Sequence, residues 1–213
     1  SNLKNVLEPV INGIKARLAS MNETIRNVGK GMVAGGAGVG VGFGVAVKSA
    51  ASFESALRNA NTMMRLTESE LDAVARTILA MSHDAKSGSR NATELAGSLF
   101  NITSAGFSGA EGLKILREAA RGATAGVTDT ATAASLLTAV INSYSLSAAD
   151  AAKVSDQLFK INELAKITYG ELAQNLGSVL PVAAAASVKL EDVGAAVAVL
   201  TVGGIPAAEA MTG

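Results

Sequence analysis

The sequence has no cysteine and no tryptophan, and aromatics make up only 3% of it. Without cysteine there is neither a disulfide framework nor a thiolate metal site, which fits a cytoplasmic origin. Charged residues are also scarce, at 17% against about 25% in an average soluble domain. The formal net charge is +0. A nucleic-acid binder needs a positive stripe to displace counterions, so specific nucleic-acid binding is not expected. The single histidine, His83, stands beside Asp84 in the polar stretch SHDAKSGS. Such a pair could orient a general base, but no G-x-S-x-G nucleophile motif accompanies it. A zinc site would need at least three protein ligands. No enzymatic activity, catalytic residue, metal or cofactor is therefore expected. The N-terminal SNLKNVLEPV is polar, without the apolar core of a secretory signal.

What the chain has is apolar surface of small side chains. Hydrophobic residues make up 49%, mostly Ala, Val and Leu, and mean hydropathy is +0.34. Small side chains bury little area each. The core then needs many short contacts or a partner chain, and low charge with neutrality favours association.

Three regions follow from the patterning. In residues 1–30, Leu7, Ile11, Ile14, Leu18, Met21, Ile25 and Val28 recur at spacings of four and three, a coiled-coil seam. Lys15, Arg17, Glu23 and Arg26 fall off it, and Pro9 is tolerated only near a helix start. Residues 31–48 carry the run GMVAGGAGVGVGFGVAV, uncharged between Lys30 and Lys48. Gly31, Gly36, Gly38, Gly40, Gly42, Phe43 and Gly44 fall in it. Each glycine costs about 1 kcal/mol in a helix relative to Ala, so a flexible joint is the favoured reading. The alternative is a membrane-active segment, because small residues suit helix contacts in lipid. The run is shorter than the ~20 residues a spanning helix needs, and it holds no G-x-G-x-x-G dinucleotide fingerprint.

Residues 49–213 read as helical throughout. Phe53, Ala56, Leu57, Ala60 and Met64 form one stripe. Thr67-x-x-Glu70 is a capping box, followed by Leu71, Val74, Ile78 and Leu79 pointing inward, and Ser82 to Ser89 breaks the helix. A weak repeat of helical hairpins then appears. The first copy opens at Asn91-x-x-Glu94 with Leu95, Leu99 and Ile102, turns at Ala105-Gly106-Phe107, and restarts at Ser108-x-x-Glu111. The second opens near Thr128 with Leu136, Leu137, Val140 and Ile141, turns at Ser145-Leu146, and restarts at Ser147-x-x-Asp150. The third opens at Thr168-x-x-Glu171 with Leu172, Leu176, Val179 and Leu180, turns between Ala183 and Val188, and restarts near Lys189. Leu99, Leu136 and Leu176 serve as the corresponding leucines, roughly 37 to 40 residues apart, the length of one stacking hairpin. The carboxylates Glu111, Asp150 and Glu191 sit just inside helix starts, where capping and the macrodipole account for them. Met63 and Met64 read as core or contact residues, and Lys114, Arg117 and Arg121 as a solvated basic face. The fold class expected is all-α: an N-terminal coiled-coil helix, a Gly-rich apolar segment, then an array of capped helical hairpins.

The order of these pieces resembles the N-terminal region of phage tail tape measure proteins. The likeness runs from Gly31 to Gly213 through Ala51-Ser52-Phe53-Glu54, the Ala105-Gly106-Phe107-Ser108 turn, Thr168-x-x-Glu171-Leu172, and the stretch from Glu191-Asp192 to Leu200-x-x-Gly203. The turn at Ser187-Val188-Lys189 lacks the glycine expected there. The resemblance implies a structural protein of the virion, assembled in the host cytoplasm, that occupies the tail tube lumen. It implies that the protein sets tail length and is released at genome ejection, with the host membrane as a possible contact at that stage. Its partners would be copies of itself (a trimer or another small multiple), the tail tube protein, the tail assembly chaperone and tail tip or baseplate proteins. Such proteins are longer than this chain, so Gly213 is not expected to be the natural C-terminus. The runner-up reading is a membrane-active, pore-forming or effector protein acting through residues 31–47.

The seam yields a first prediction. A peptide of residues 1–30 should sediment as an oligomer at high concentration, and a strictly monomeric mass would refute the seam.

Overall fold

The computed structural model describes the backbone of residues 39–85 and 88–212. The seam residues Leu7 to Val28, and Gly31, Gly36 and Gly38, lie outside the described residues. The chain divides at Val47/Lys48, and the packing described below belongs to the unit from Lys48 onward. Among the described residues there are nine α-helices and no strand: α1 Val39–Met64, α2 Glu68–Ser82, α3 Ala92–Ser104, α4 Gly109–Ala125, α5 Thr130–Ser143, α6 Ala151–Ala165, α7 Tyr169–Ala185, α8 Leu190–Val202 and α9 Ala207–Thr212. Helix α1 takes in Gly40, Gly42, Phe43 and Gly44, so this part of the expected joint is helical. Extending a formed helix adds one hydrogen bond per residue and avoids the cost of nucleation, which offsets the glycine penalty. Among the described residues no helix is long and apolar enough to cross a membrane.

From α3 onward the helices form two rows. Helices α3, α5, α7 and α9 pack in sequence along one row, and α4, α6 and α8 along the other. Each hairpin therefore lies against the next, first helix on first and second on second, as in stacked-repeat proteins. The first helices are capped by Asn91, Asp129 and Thr168, at intervals of 38 and 39 residues. The second copy, expected near Thr128, has its cap at Asp129, whose carboxylate accepts from the Thr132 amide at 2.7 Å. Counting from the caps, the equivalent leucines are Leu99, Leu137 and Leu176, all fully buried, and Leu136 sits one position earlier.

The turns repeat as well. Gly106, Ser145 and Ser187 each have positive φ. The residue after each donates its amide back across the helix end: Phe107 to Ile102 at 3.2 Å, Leu146 to Ile141 at 2.8 Å and Val188 to Ala183 at 2.9 Å. This is the Schellman closure, which glycine favours. Ser187, with φ of 59°, adopts it without glycine.

The core is a continuous set of Leu, Ile, Val and Ala contributed by every helix. In α2, Leu71, Val74, Ile78 and Met81 are buried while Leu79 is 43% exposed. A 3.6-residue period carries Leu79 off the face that Ile78 occupies and brings Met81 onto it. Phe53, Ala56 and Met64 are partly buried around Leu57 and Ala60, while Met63 is exposed.

Among the described residues the largest fully buried side chain is Tyr169, at the first turn of α7. Its ring lies over the end of α4. A Cβ at Gly126 would come within 2.6 Å of two ring carbons, and one at Gly122 within 3.3 Å of the Tyr169 hydroxyl and 3.2 Å of Ser155 Oγ. Burial pushes the Tyr169 phenol well above its ordinary value. The third hairpin thus reaches back onto the first through a notch that only missing side chains leave open.

Gly126→Ala should therefore destabilise the fold by about 1–3 kcal/mol, the usual cost of overpacking. That corresponds to a Tm loss of roughly 2–4 °C per kcal/mol for a chain of this size. Gly97→Ala is the control, since a Cβ there meets nothing within 4 Å. It should be neutral or stabilising by about 0.5–1 kcal/mol.

Candidate functional site

Polar side chains pin each step of the stack from the first hairpin to the third. Between the first and second hairpins, Glu94 Oε1 accepts from the Thr130 amide at 2.8 Å and from the Thr130 hydroxyl at 2.5 Å. Thr130 is fully buried. Arg90 holds the same carboxylate at 3.3 Å and reaches Thr124 with its Nε, also at 3.3 Å. Asn142 donates to the Ala105 carbonyl at 3.0 Å. Between the second and third hairpins, the Tyr144 hydroxyl donates to the Val188 carbonyl at 3.0 Å, and Gln157 donates to Glu191 at 2.5 Å. Thr201 donates to the Ala165 carbonyl at 2.8 Å. Four of these bonds, those to the Thr130 amide and to the Ala105, Val188 and Ala165 carbonyls, satisfy a backbone group near a helix end, where helices leave donors and acceptors unpaired.

Glu94 shows how the structure departs from the sequence pattern. The expected box with Asn91 is absent: Asn91 caps α3 through the Thr93 amide at 2.8 Å, and Glu94 instead serves the start of α5. A carboxylate at that helix N-terminus is favoured by its exposed amides and dipole. Ser108 occupies the cap position of α4 but makes no side-chain cap hydrogen bond, so the expected box with Glu111 does not form. Its backbone carbonyl still accepts from Gly112 at 3.2 Å. Lys189 caps α8 without a side-chain bond.

Thr67–Glu70, Ser147–Asp150 and Thr168–Glu171 each form reciprocal capping boxes, with Ser147 introducing a 3₁₀ turn, Ala148–Asp150, before α6. The bonds from the cap residue's amide and hydroxyl hold Glu70, Asp150 and Glu171 below their ordinary values. Asp129 is lowered by the Thr132 hydroxyl and amide.

Two hinges share a pattern that reading by hairpins misses. Asn61-x-x-x-Arg65-Leu66-Thr67-x-x-Glu70 and Asn162-x-x-x-Lys166-Ile167-Thr168-x-x-Glu171 match position by position. In each, the cation takes positive φ, 54° and 53°. The asparagine amide donates across the break, to the Leu66 carbonyl at 3.2 Å and to the Ile167 carbonyl. A left-handed non-glycine residue costs about 1–3 kcal/mol, which the asparagine bond and the capping box offset. The signal was the Asn–Thr–Glu spacing across both breaks.

The residues considered for chemistry do not converge. His83 is the C-cap of α2. A cleft of about 730 Å³ beside it is lined by Ala73, Arg76, Thr77, Ala80, Met81, Asp84 and Arg117. Among the described residues no group of three or more His, Cys, Asp or Glu stands close enough to hold a metal ion. In the basic face of α4, Arg121 pairs with Glu118 at 2.6 Å, while Lys114 and Arg117 are exposed.

Against known proteins, residues 75–213 match the model of a family described as phage-related minor tail protein. The chain belongs to that family. Membership places it among the tail proteins of phage virions. The chain is also 30% identical over 183 residues to a probable tape measure protein of Clostridium phage phiCD119. The match covers 82% of this chain and 19% of that protein, so the chain spans about a fifth of this tail-protein relative. No solved structure matches. The stacked hairpins from α3 to α9 lie wholly within the residues matched by the family model.

A pH prediction follows from the caps. Because Glu70, Asp150 and Glu171 are held low in the folded state, the unfolded chain binds their protons more readily. Their stabilisation is full above the ordinary values of 4.5 for Glu and 3.8 for Asp, and it is lost as pH falls through the lowered folded values. Melting temperature should fall on acidification from about pH 6 to about pH 3. Glu171→Gln should lower Tm at neutral pH and make that fall shallower; an unchanged acid slope would remove the box from the account.

Proposed function

We propose that this chain is part of a tape measure protein that lies in the tail tube lumen, sets tail length during assembly and leaves at genome ejection. The observation behind this reading is the 30% identity to a probable tape measure protein over 82% of the chain. The composition supports it. A neutral chain leaves a lumen that DNA must later traverse without a strong field, and an Ala-rich core with little burial per residue suits a protein that is later displaced. No catalytic role is part of the proposal. Its partners are further copies of itself through the Leu7 to Val28 seam, the tube protein, the assembly chaperone and the tip or baseplate proteins. The domain scheme 1–30, 31–48 and 49–213 belongs to the same reading.

The hairpins bear on how such a protein measures. Drawn out as one helix, 38 residues would span about 57 Å at 1.5 Å per residue. Stacked as in this structure, one hairpin advances the array by about one helix spacing, roughly 8–10 Å. The two states differ several-fold, so tail length distinguishes them. An in-frame deletion of Thr128 to Ile167 should shorten tails, measured by electron microscopy, by up to ~60 Å if this region is drawn out along the tube. A change of ~10 Å or less would show that it acts as a compact module, with measuring done elsewhere in the protein. Tails that lengthen or lose a defined length would count against a ruler in which this hairpin has a fixed place.

A further inference from the structure

We propose that the exposed apolar face of α8 is the seat of a fourth hairpin, one whose first helix is α9 and whose second helix follows it in the chain. Counting the second helices from their caps, Ser108, Ser147 and Lys189, aligns them without gaps. Seven and eleven residues after the cap stand Ile115 and Ala119 in α4, and Val154 and Leu158 in α6; all four are at most 1% exposed. The equivalent residues of α8 are Ala196 and Leu200, and both are exposed. Ten residues after the cap, Glu118 accepts from Ser155 of the next hairpin through its carbonyl, and Gln157 donates to Glu191 of the next. The equivalent residue of α8 is Val199, 73% exposed. The three compared positions, buried or bonded to the next hairpin in α4 and α6, are therefore open in α8.

The occupant's chemistry follows from the face. From Val193 to Val202 the helix carries no charged residue. Ala195, Val199 and Val202 extend the open stripe at helical spacing, with Val202 58% exposed. A helix apolar on all sides is one that packs on all sides. Helix α9 already packs against α7, and its Met211 is buried. It packs on α7 as α7 packs on α5, so a helix after it would arrive on α8 as α8 arrives on α6. The matched relative is about five times longer than the aligned region, which leaves chain for such a hairpin. This docking does not depend on the tape measure reading: it would hold for any role of the stack.

The test compares backbone amide exchange of α8 in the 213-residue chain and in the same protein lengthened by about 40 residues of its own reading frame, one repeat. The expected result is at least tenfold slower exchange in α8 on lengthening. Val199→Asp, at an exposed position, should leave the helicity of the 213-residue chain unchanged and abolish the added protection in the longer one. A stop codon directly after Gly213 would overturn the proposal, as would α8 exchange unaffected by lengthening. Protection in the 213-residue chain that rises with concentration and disappears in Val199→Asp would assign the face to a second copy, and would also overturn it.

Discussion

The ring of Tyr169 fills space that exists only because Gly122 and Gly126 lack side chains. It enters at the first turn of α7, so the helix that begins the third hairpin is located against the last turn of α4 in the first. A stack of near-identical hairpins has many nearly equivalent ways to slide, since small aliphatic side chains offer shallow ridges. One large, rigid residue in a closed notch removes that freedom. The capping box at Thr168 places Tyr169 at the first helical position, and the left-handed Lys166 ends α6 three residues before it.

Around that contact, several of the polar bonds between hairpins act on backbone groups at helix ends. Glu94 completes the start of α5, Asn142 donates to the Ala105 carbonyl at the end of α3, and Thr201 donates to the Ala165 carbonyl at the end of α6. Bonds of this kind add modest net stability but favour one register, because a shifted hairpin would leave the same groups without these partners. The apolar contacts supply the driving force and these bonds select the arrangement. That division suits a chain whose side chains are too small to interlock by shape.

How the proposed role joins this fold is a matter of length. A helix converts residues into distance at a constant rate, and hairpins convert the same residues into a much shorter stack. The described residues adopt the stacked form. A tail protein that measures with this region must open it, and one that keeps it closed must measure elsewhere along a chain of which this region matches about a fifth in the relative.

Helices, their order and the hairpin repeat were all legible in the residues, because capping signals and the 3.6-residue period are local and act within one turn. Leu95, Leu99, Leu172 and Leu176 declared the buried face of their helices for the same reason. The one-residue slip at Leu136 arose because Asp129 and its neighbours offer several possible caps, and only the Thr132 bond chooses among them. Local pattern could not show that Glu94 abandons its own helix for Thr130, that Leu79 faces solvent while Met81 is buried, or that Tyr169 lies in a glycine notch about 45 residues earlier in the chain. Those outcomes depend on which surfaces meet after the hairpins stack. The sequence by itself determined the elements and their period through local hydrogen bonding and helical geometry, whereas register, partner choice and the open face of α8 were decided only by tertiary packing, since each depends on space left by residues far away in the chain.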